Sequence, residues 1–169
     1  MVTVERVTAE HADALLRFEL ENREYFARVI PDRGDAYFAE FPQRHAALLA
    51  YQEAGTDHFH VLVDDGRILG RVNLVNTVDG SAELGYRIAE SAAGRGLATW
   101  GVREVLGTPY GLREITARTT ADNVASQKIL ARVGFVRTGE IELNDKPAYT
   151  YVLARVPVDE LQRPGSASG

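Results

Sequence analysis

The stretch Glu83 to Thr99, ELGYRIAESAAGRGLAT, constrains the fold of this chain more than any other. A strand-like alternation passes through a short loop into glycines at 94 and 96 and then directly into a helical pattern. The free N–H groups and macrodipole of a helix start favour an anion, and glycine lets a phosphate or pyrophosphate approach the backbone without a Cβ in the way. The spacing is G-x-G-x-x-T, so it is neither the dinucleotide fingerprint G-x-G-x-x-G nor a P-loop, which needs a following Lys-Ser/Thr pair. Alone, the two glycines fit a tight strand-to-helix junction equally well.

A second helix start lies in ARTTADNVASQKILARVGF, residues 117–135. Asn123 and Ser126 stand three residues apart and share a helix face, so both side chains can reach a ligand lying along the preceding strand ends. Their ordinary reading is an N-cap and a first-turn polar residue, and it is compatible with the ligand reading.

The remaining segments supply the frame. Residues 2–6 alternate like a strand, and Thr8 opens an apolar helical series through Ala12, Leu15, Leu16 and Leu20. Pro31, Arg33-Gly34 and Pro42 interrupt periodicity, so two helices joined by a loop at 22–35 are expected. From His58 three antiparallel strands follow, turned by Asp65-Gly66 and Asp79-Gly80. A helix over 94–106 buries Ala98, Val102, Val105 and Leu106, and residues 113–119 form a strand. A helix with an Ala125, Ile129, Val133 stripe ends at Gly134. Strands at about 135–143 and 148–156 flank a turn at 144–147. The order βααβββαβαββ implies an α/β (α+β) fold: a mixed, mostly antiparallel central sheet with helices on both faces. Residues 1–158 are expected to form one domain and 159–169 a disordered tail.

Composition excludes several function classes. The 169 residues carry a formal charge of −5 and no cysteine. Thiolate nucleophiles, disulfides and cysteine-ligated metals are therefore absent, and no basic patch marks a nucleic-acid partner. No run approaches the ~18 apolar residues of a membrane span, and the start lacks a basic and apolar leader, so a cytoplasmic protein is expected, as monomer or homodimer. His58 and His60 share a strand face but have no third ligand at suitable spacing, so no metal is expected.

The pieces ENREYF at 21–26, AELGYRI at 82–88, GRGLA at 94–98 and N-x-x-S at 123–126 followed by GF at 134–135 resemble the GNAT acetyltransferases. Within them, the chain is similar to the ribosomal-protein alanine N-acetyltransferase branch from Val4 to Arg155. The resemblance implies the GNAT fold, splayed between its fourth and fifth strands, with acetyl-CoA as co-substrate and a primary amine, such as a protein N-terminus, as acceptor. It implies that Gly94, Arg95, Gly96, Leu97, Ala98 and Thr99 cradle the pyrophosphate. Backbone groups of Tyr86, Arg87 and Ile88 would pair with the pantetheine arm like an added strand, with Asn123 and Ser126 along its far side. Two positions depart from the pattern: the usual Gln or Arg opening the glycine signature is Ala93, and the tyrosine often found seven residues after the asparagine is Leu130. Ser126, or water, is then the candidate proton donor to the leaving thiolate.

Acyl transfer to an amine needs a neutral nucleophile, a held oxyanion and an acceptor for the ammonium proton. Glu83 is the candidate base because it precedes the presumed splay; a carboxylate simply hydrogen-bonded in the sheet is the alternative. Glu24, Tyr25, Phe26 and Asp145 flank the expected acceptor groove, although Tyr25, Phe26, Tyr37 and Phe38 fit ordinary packing as well, and Trp100 has no favoured role. Two other functions stay open: acetylation of a small amine such as an antibiotic, polyamine or amino acid, and non-catalytic acyl-CoA sensing.

Overall fold

A computed structural model describes residues 1–161. Strand β1 (Thr3–Arg6) leads through a 3-10 turn at Ala9–His11, where the Thr8 N–H donates to His11 Nδ1 at 2.9 Å, into helix α1 (Ala12–Glu21). Helices α2 (Arg23–Ala27), α3 (Asp35–Ala39) and α4 (Phe41–Glu53) follow. The region expected as two helices and a loop thus holds four helices. Pro42 does not break α4: it sits in the first turn, where its missing N–H would have no helical partner.

Strands β2 (His58–Asp64), β3 (Arg67–Val78) and β4 (Ser81–Ile88) form a meander. Asp65-Gly66 and Asp79-Gly80 all have positive φ, the backbone that two-residue hairpins require. Helix α5 (Leu97–Leu106), strand β5 (Glu114–Thr120), helix α6 (Val124–Val133), strands β6 (Val136–Leu143) and β7 (Lys146–Ala154), and a final helical turn α7 (Val158–Leu161) complete the chain.

Several sequence expectations differ from the structure in detail. On α1, Phe18 is buried while Leu20 is half exposed, because the buried face runs through Leu15 and Phe18. On α6 the core residue is Leu130 rather than the Ala125–Ile129–Val133 stripe, because Ala125 faces outward. The last turn is only Asn144-Asp145, both with positive φ, and Lys146 pairs with Leu143 at the first rung of the closing hairpin. The expected tail at 159–169 begins as helix, with Glu160 ion-paired to Arg113; residues 162–169 lie outside the described residues.

The sheet order is β1-β2-β3-β4-β5-β7-β6, antiparallel throughout except for β4 beside β5. That parallel pair is short: Ser81, Ala82 and Glu83 face Glu114, Ile115 and Thr116, and pairing stops there. Beyond it β4 continues to Ile88 on β3, while β5 continues to Thr120 on β7. Each strand follows its antiparallel partner, so the middle of the sheet splays open. Ala82 and Leu84 on β4 face the core beneath α5 and α6, whereas Glu83, Gly85 and Arg87 alternate onto the side of α1–α4.

Candidate active site

The glycine loop follows β4 by way of a 3-10 turn at Glu90–Ala92 and leads directly into α5. Gly94 and Gly96 have φ of 76° and 73°, and a Cβ on either would meet nothing within 4 Å, so backbone conformation rather than crowding demands glycine here. Gly96 is the N-cap of α5 and supplies no side-chain cap to the first turn. Ala98 and Thr99 are buried and anchor that turn, while Arg95 is exposed above it. The first-turn N–H groups of Leu97, Ala98 and Thr99 thus receive no side-chain cap from Gly96, and an uncapped helix start of this kind favours an anion.

Asn22, within ENREYF, was not singled out from the sequence yet ties the end of α1 to this loop. Its buried amide donates to Phe18 O at 2.8 Å and accepts from the Glu90 N–H at 3.0 Å. No local pattern marks it, because its partner Glu90 is 68 residues away.

The far side of the splay is the start of α6. Asn123 Oδ1 accepts from the Ser126 N–H at 3.2 Å, so it is the N-cap of α6. Ser126 Oγ lies 2.6 Å from the Tyr86 hydroxyl, a short bond joining β4 to α6. Burial pushes the Tyr86 phenol up to about 12, against the opposing pull of the Ser126 hydrogen bond. Tyr86, singled out for its backbone, therefore also places a neutral hydroxyl here. Leu130 is 1% exposed and belongs to the core.

The opposite face of β4 carries charge. Glu83 Oε1 accepts from Arg118 Nη2 at 2.9 Å and Nε at 3.0 Å, from β4 to β5 at the point of divergence. Arg118 was not anticipated, because only the parallel register brings it beside Glu83. Next along β4, Gly85 is exposed over open space, and on β3 its direct neighbour Asn73 has a buried Oδ1 with no partner.

Arg87 turns its guanidinium into a cluster around Glu19, which is 1% exposed. Glu19 accepts from Arg71 at 2.8 Å, from Arg33 at 3.1 Å through two nitrogens, and from Arg87 at 3.3 Å. Burial alone would raise the Glu19 carboxyl, but Arg71, Arg33 and Arg87 hold it below its ordinary value. The available signal was spacing: Glu19 lies four residues after Leu15, on the buried face of α1.

The remaining candidates separate. Phe26 is buried, with its ring 5.5 Å from Phe18 and Arg87 above it at 5.0 Å, so it packs in the core. Tyr25 is half-buried beside it and Glu24 is exposed. Tyr37 and Phe38 pack edge to face, and Trp100 packs against the core beneath α5 and α6. Asp145 is exposed at the β6–β7 tip, on an open groove with Glu140 and Glu142. Among the described residues no hydrogen bond joins Asp145 to the Glu24–Phe26 segment. His58 stacks on Tyr110 with centroids 3.8 Å apart, and His60 Nε2 lies 2.8 Å from the Tyr110 hydroxyl, so both imidazoles are engaged in packing.

A family model described as an acetyltransferase (GNAT) domain matches residues 2–136. Among solved structures, the fold is similar to ribosomal-protein-S5-alanine acetyltransferase from Vibrio fischeri, with a TM-score of 0.84, 22% identity, and coverage of 90% of this chain and 92% of that one. It is also similar to RimJ from Mycobacterium smegmatis in complex with a coenzyme A disulfide, at 0.78 and 23%, covering 96% and 84%. A third similar structure is the microcin C7 self-immunity acetyltransferase MccE with acetyl-CoA and AMP, at 0.78 and 17%, covering 91% and 92%. No curated protein sequence matches significantly.

Proposed function

The chain belongs to the acetyltransferase (GNAT) family, and from that premise we propose that it transfers the acetyl group of acetyl-CoA to a primary amine, specifically a protein N-terminal amine. The observation that carries this reading is the splay itself: a central strand with one free edge, leading to an uncapped glycine helix start. Similar structures that hold coenzyme A or acetyl-CoA support the same cofactor.

The residues present fit this co-substrate. Backbone N–H groups of Gly94–Thr99 would hold the diphosphate, and the open edge of β4 through Tyr86, Arg87 and Ile88 would pair with the pantetheine amides. Acetyl-CoA supplies an activated thioester carbonyl and a thiol leaving group whose pKa of ~8.5 needs little assistance. The Tyr86 hydroxyl keeps Ser126 Oγ oriented, and the pair holds a proton at the inner end of this slot.

On the other face Glu83 takes the proton that the amine loses, directly or through water. Its ion pair with Arg118 fixes the carboxylate where the pairing of β4 and β5 ends. An acceptor that is partly neutral already asks the least of a general base. An N-terminal amine of pKa ~8 is about a tenth neutral at pH 7, whereas a lysine amine of pKa ~10.4 is neutral in well under one part in a thousand.

The test is to incubate the protein with acetyl-CoA and, separately, with peptides bearing free N-termini, N-blocked lysine peptides and small amines, following thiol release. The reading expects amine-dependent release with the free N-termini. Acetyl-CoA binding without release from any pool would favour a sensor, and release from small amines alone would move the acceptor away from proteins.

A further inference from the structure

Buried charge is normally balanced, because each unpaired ion taken out of water costs several kcal/mol. The cluster around Glu19 is not balanced. One carboxylate, 1% exposed, faces the guanidiniums of Arg33, Arg71 and Arg87, a surplus of two positive charges. The nearby carboxylates Asp32 and Asp35 are both bonded to Arg23 at 2.8 Å. Arg71 Nε is buried with no partner, and burial pulls Arg87 down to about 10, a guanidinium short of compensating charge.

The cluster lies in line with the catalytic face. Glu83, Gly85 and Arg87 alternate onto one side of β4, and Arg71 is the direct neighbour of Arg87 on β3. Between Glu83 and Arg87 lies the exposed Gly85, flanked by the unpartnered Asn73 Oδ1. Four residues of strand separate the two charged ends by about 13 Å. Arg33, on the loop between α2 and α3 and 27% exposed, is the member of the cluster most open to solvent.

We propose that this track is a two-ended acceptor site: the amine binds at Glu83 beside Asn73, and an anionic group of the same acceptor binds the Arg33–Arg71–Arg87 surplus. The inference rests on the acetyl-transfer reading and narrows the acceptor to an amine carrying a carboxylate or phosphate roughly 10–13 Å away. An extended peptide places an acidic side chain at its third or fourth residue at that distance. The local positive charge thus selects against the sign suggested by the −5 charge of the whole chain.

The experiment measures acetyl-CoA turnover with two acceptor series. One is a set of tetrapeptide amides with Asp, Asn or Lys at position three; the other is a set of ω-amino carboxylates of increasing length beside the equivalent amides. The proposal expects the anionic member to exceed its neutral counterpart in kcat/KM by about tenfold or more, a preference that falls with salt. Arg33→Gln, at the exposed rim, should bring that ratio toward one, as should Arg87→Gln. Preference in the peptide series assigns a protein acceptor, and preference only in the second series assigns a small zwitterion.

Equal or better turnover of the neutral or basic acceptors overturns the anion site while leaving acetyl transfer intact. If no amine releases thiol, the acetyl-transfer reading fails. The anion site is then judged by calorimetry of the Asp tetrapeptide with the coenzyme A-loaded protein, and it falls if Arg33→Gln binds as tightly as the parent.

Discussion

Glu83 and Arg118 join the two strands of the splay at the rung where their pairing ends, through bonds of 2.9 and 3.0 Å to one carboxylate oxygen. The pair orients the carboxylate on the face where Gly85 leaves the sheet uncovered. General-base catalysis contributes typically 10²–10⁴-fold. Glu83→Gln should therefore lower kcat by about 10²-fold or more while changing acetyl-CoA affinity less than about threefold. Undiminished turnover at saturating amine would leave Glu83 with a structural role only.

Tyr86 and Ser126 act as a unit if the hydroxyl pair holds the proton near the leaving thiol. Tyr86→Phe and Ser126→Ala should each reduce kcat by about tenfold, and the double variant should be no slower than the worse single variant. Each should cost about 1 kcal/mol of unfolding free energy, the usual net value of one hydrogen bond. Multiplicative loss in the double variant argues against coupling.

Gly96 separates backbone strain from ligand contact. Gly96→Ala meets no steric obstacle but must adopt a φ near 73°, which costs an L-residue about 1–2 kcal/mol. Acetyl-CoA affinity, measured by calorimetry, should weaken by about tenfold as the loop relaxes. Gly66→Ala, in the β2–β3 turn with φ of 75° and equally open space, is the control. It should lose similar stability with no change in affinity; matched affinity loss would refute the loop assignment.

His60 links stability to pH. Burial lowers its pKa to about 4, from the ordinary 6.5. The unfolded chain therefore takes up the proton first as pH falls. The stabilisation is complete above about pH 6.5 and is lost progressively down to about pH 4, a change on the order of 2–4 kcal/mol. His58 is lowered in the same direction, by burial first and then by Arg6. Urea midpoints across pH 7 to 4 should decline less steeply in His60→Gln than in the parent; parallel curves would contradict the assignment.

The meander of β2–β4, the glycine loop, the Asn123 cap and the left-handed Gly134 that ends α6 were all legible in the sequence. So was the end of β4–β5 pairing just beyond Glu83, through resemblance. Less legible were positions where a helix face had to be chosen. By resemblance Leu130 stands where a functional tyrosine is often found, while in the structure it fills the core. Beyond its spacing, Glu19 gives no sequence signal because a charged residue within an apolar series ordinarily faces solvent, whereas here three arginines from other segments compensate it.

By itself the sequence determined the features whose energetics close within a few residues: positive-φ turns, helix caps and the anion-ready start of α5. Those depend on backbone sterics and on side chains bonding to nearby backbone. Only the tertiary structure decided which polar groups meet. Tyr86 reaches Ser126 across 40 residues, Glu83 reaches Arg118 across 35, and Glu19 reaches Arg87 across 68. Each pairing follows from strand order, register and the packing of α1 and α6 on the sheet, which bring together side chains that no local spacing connects.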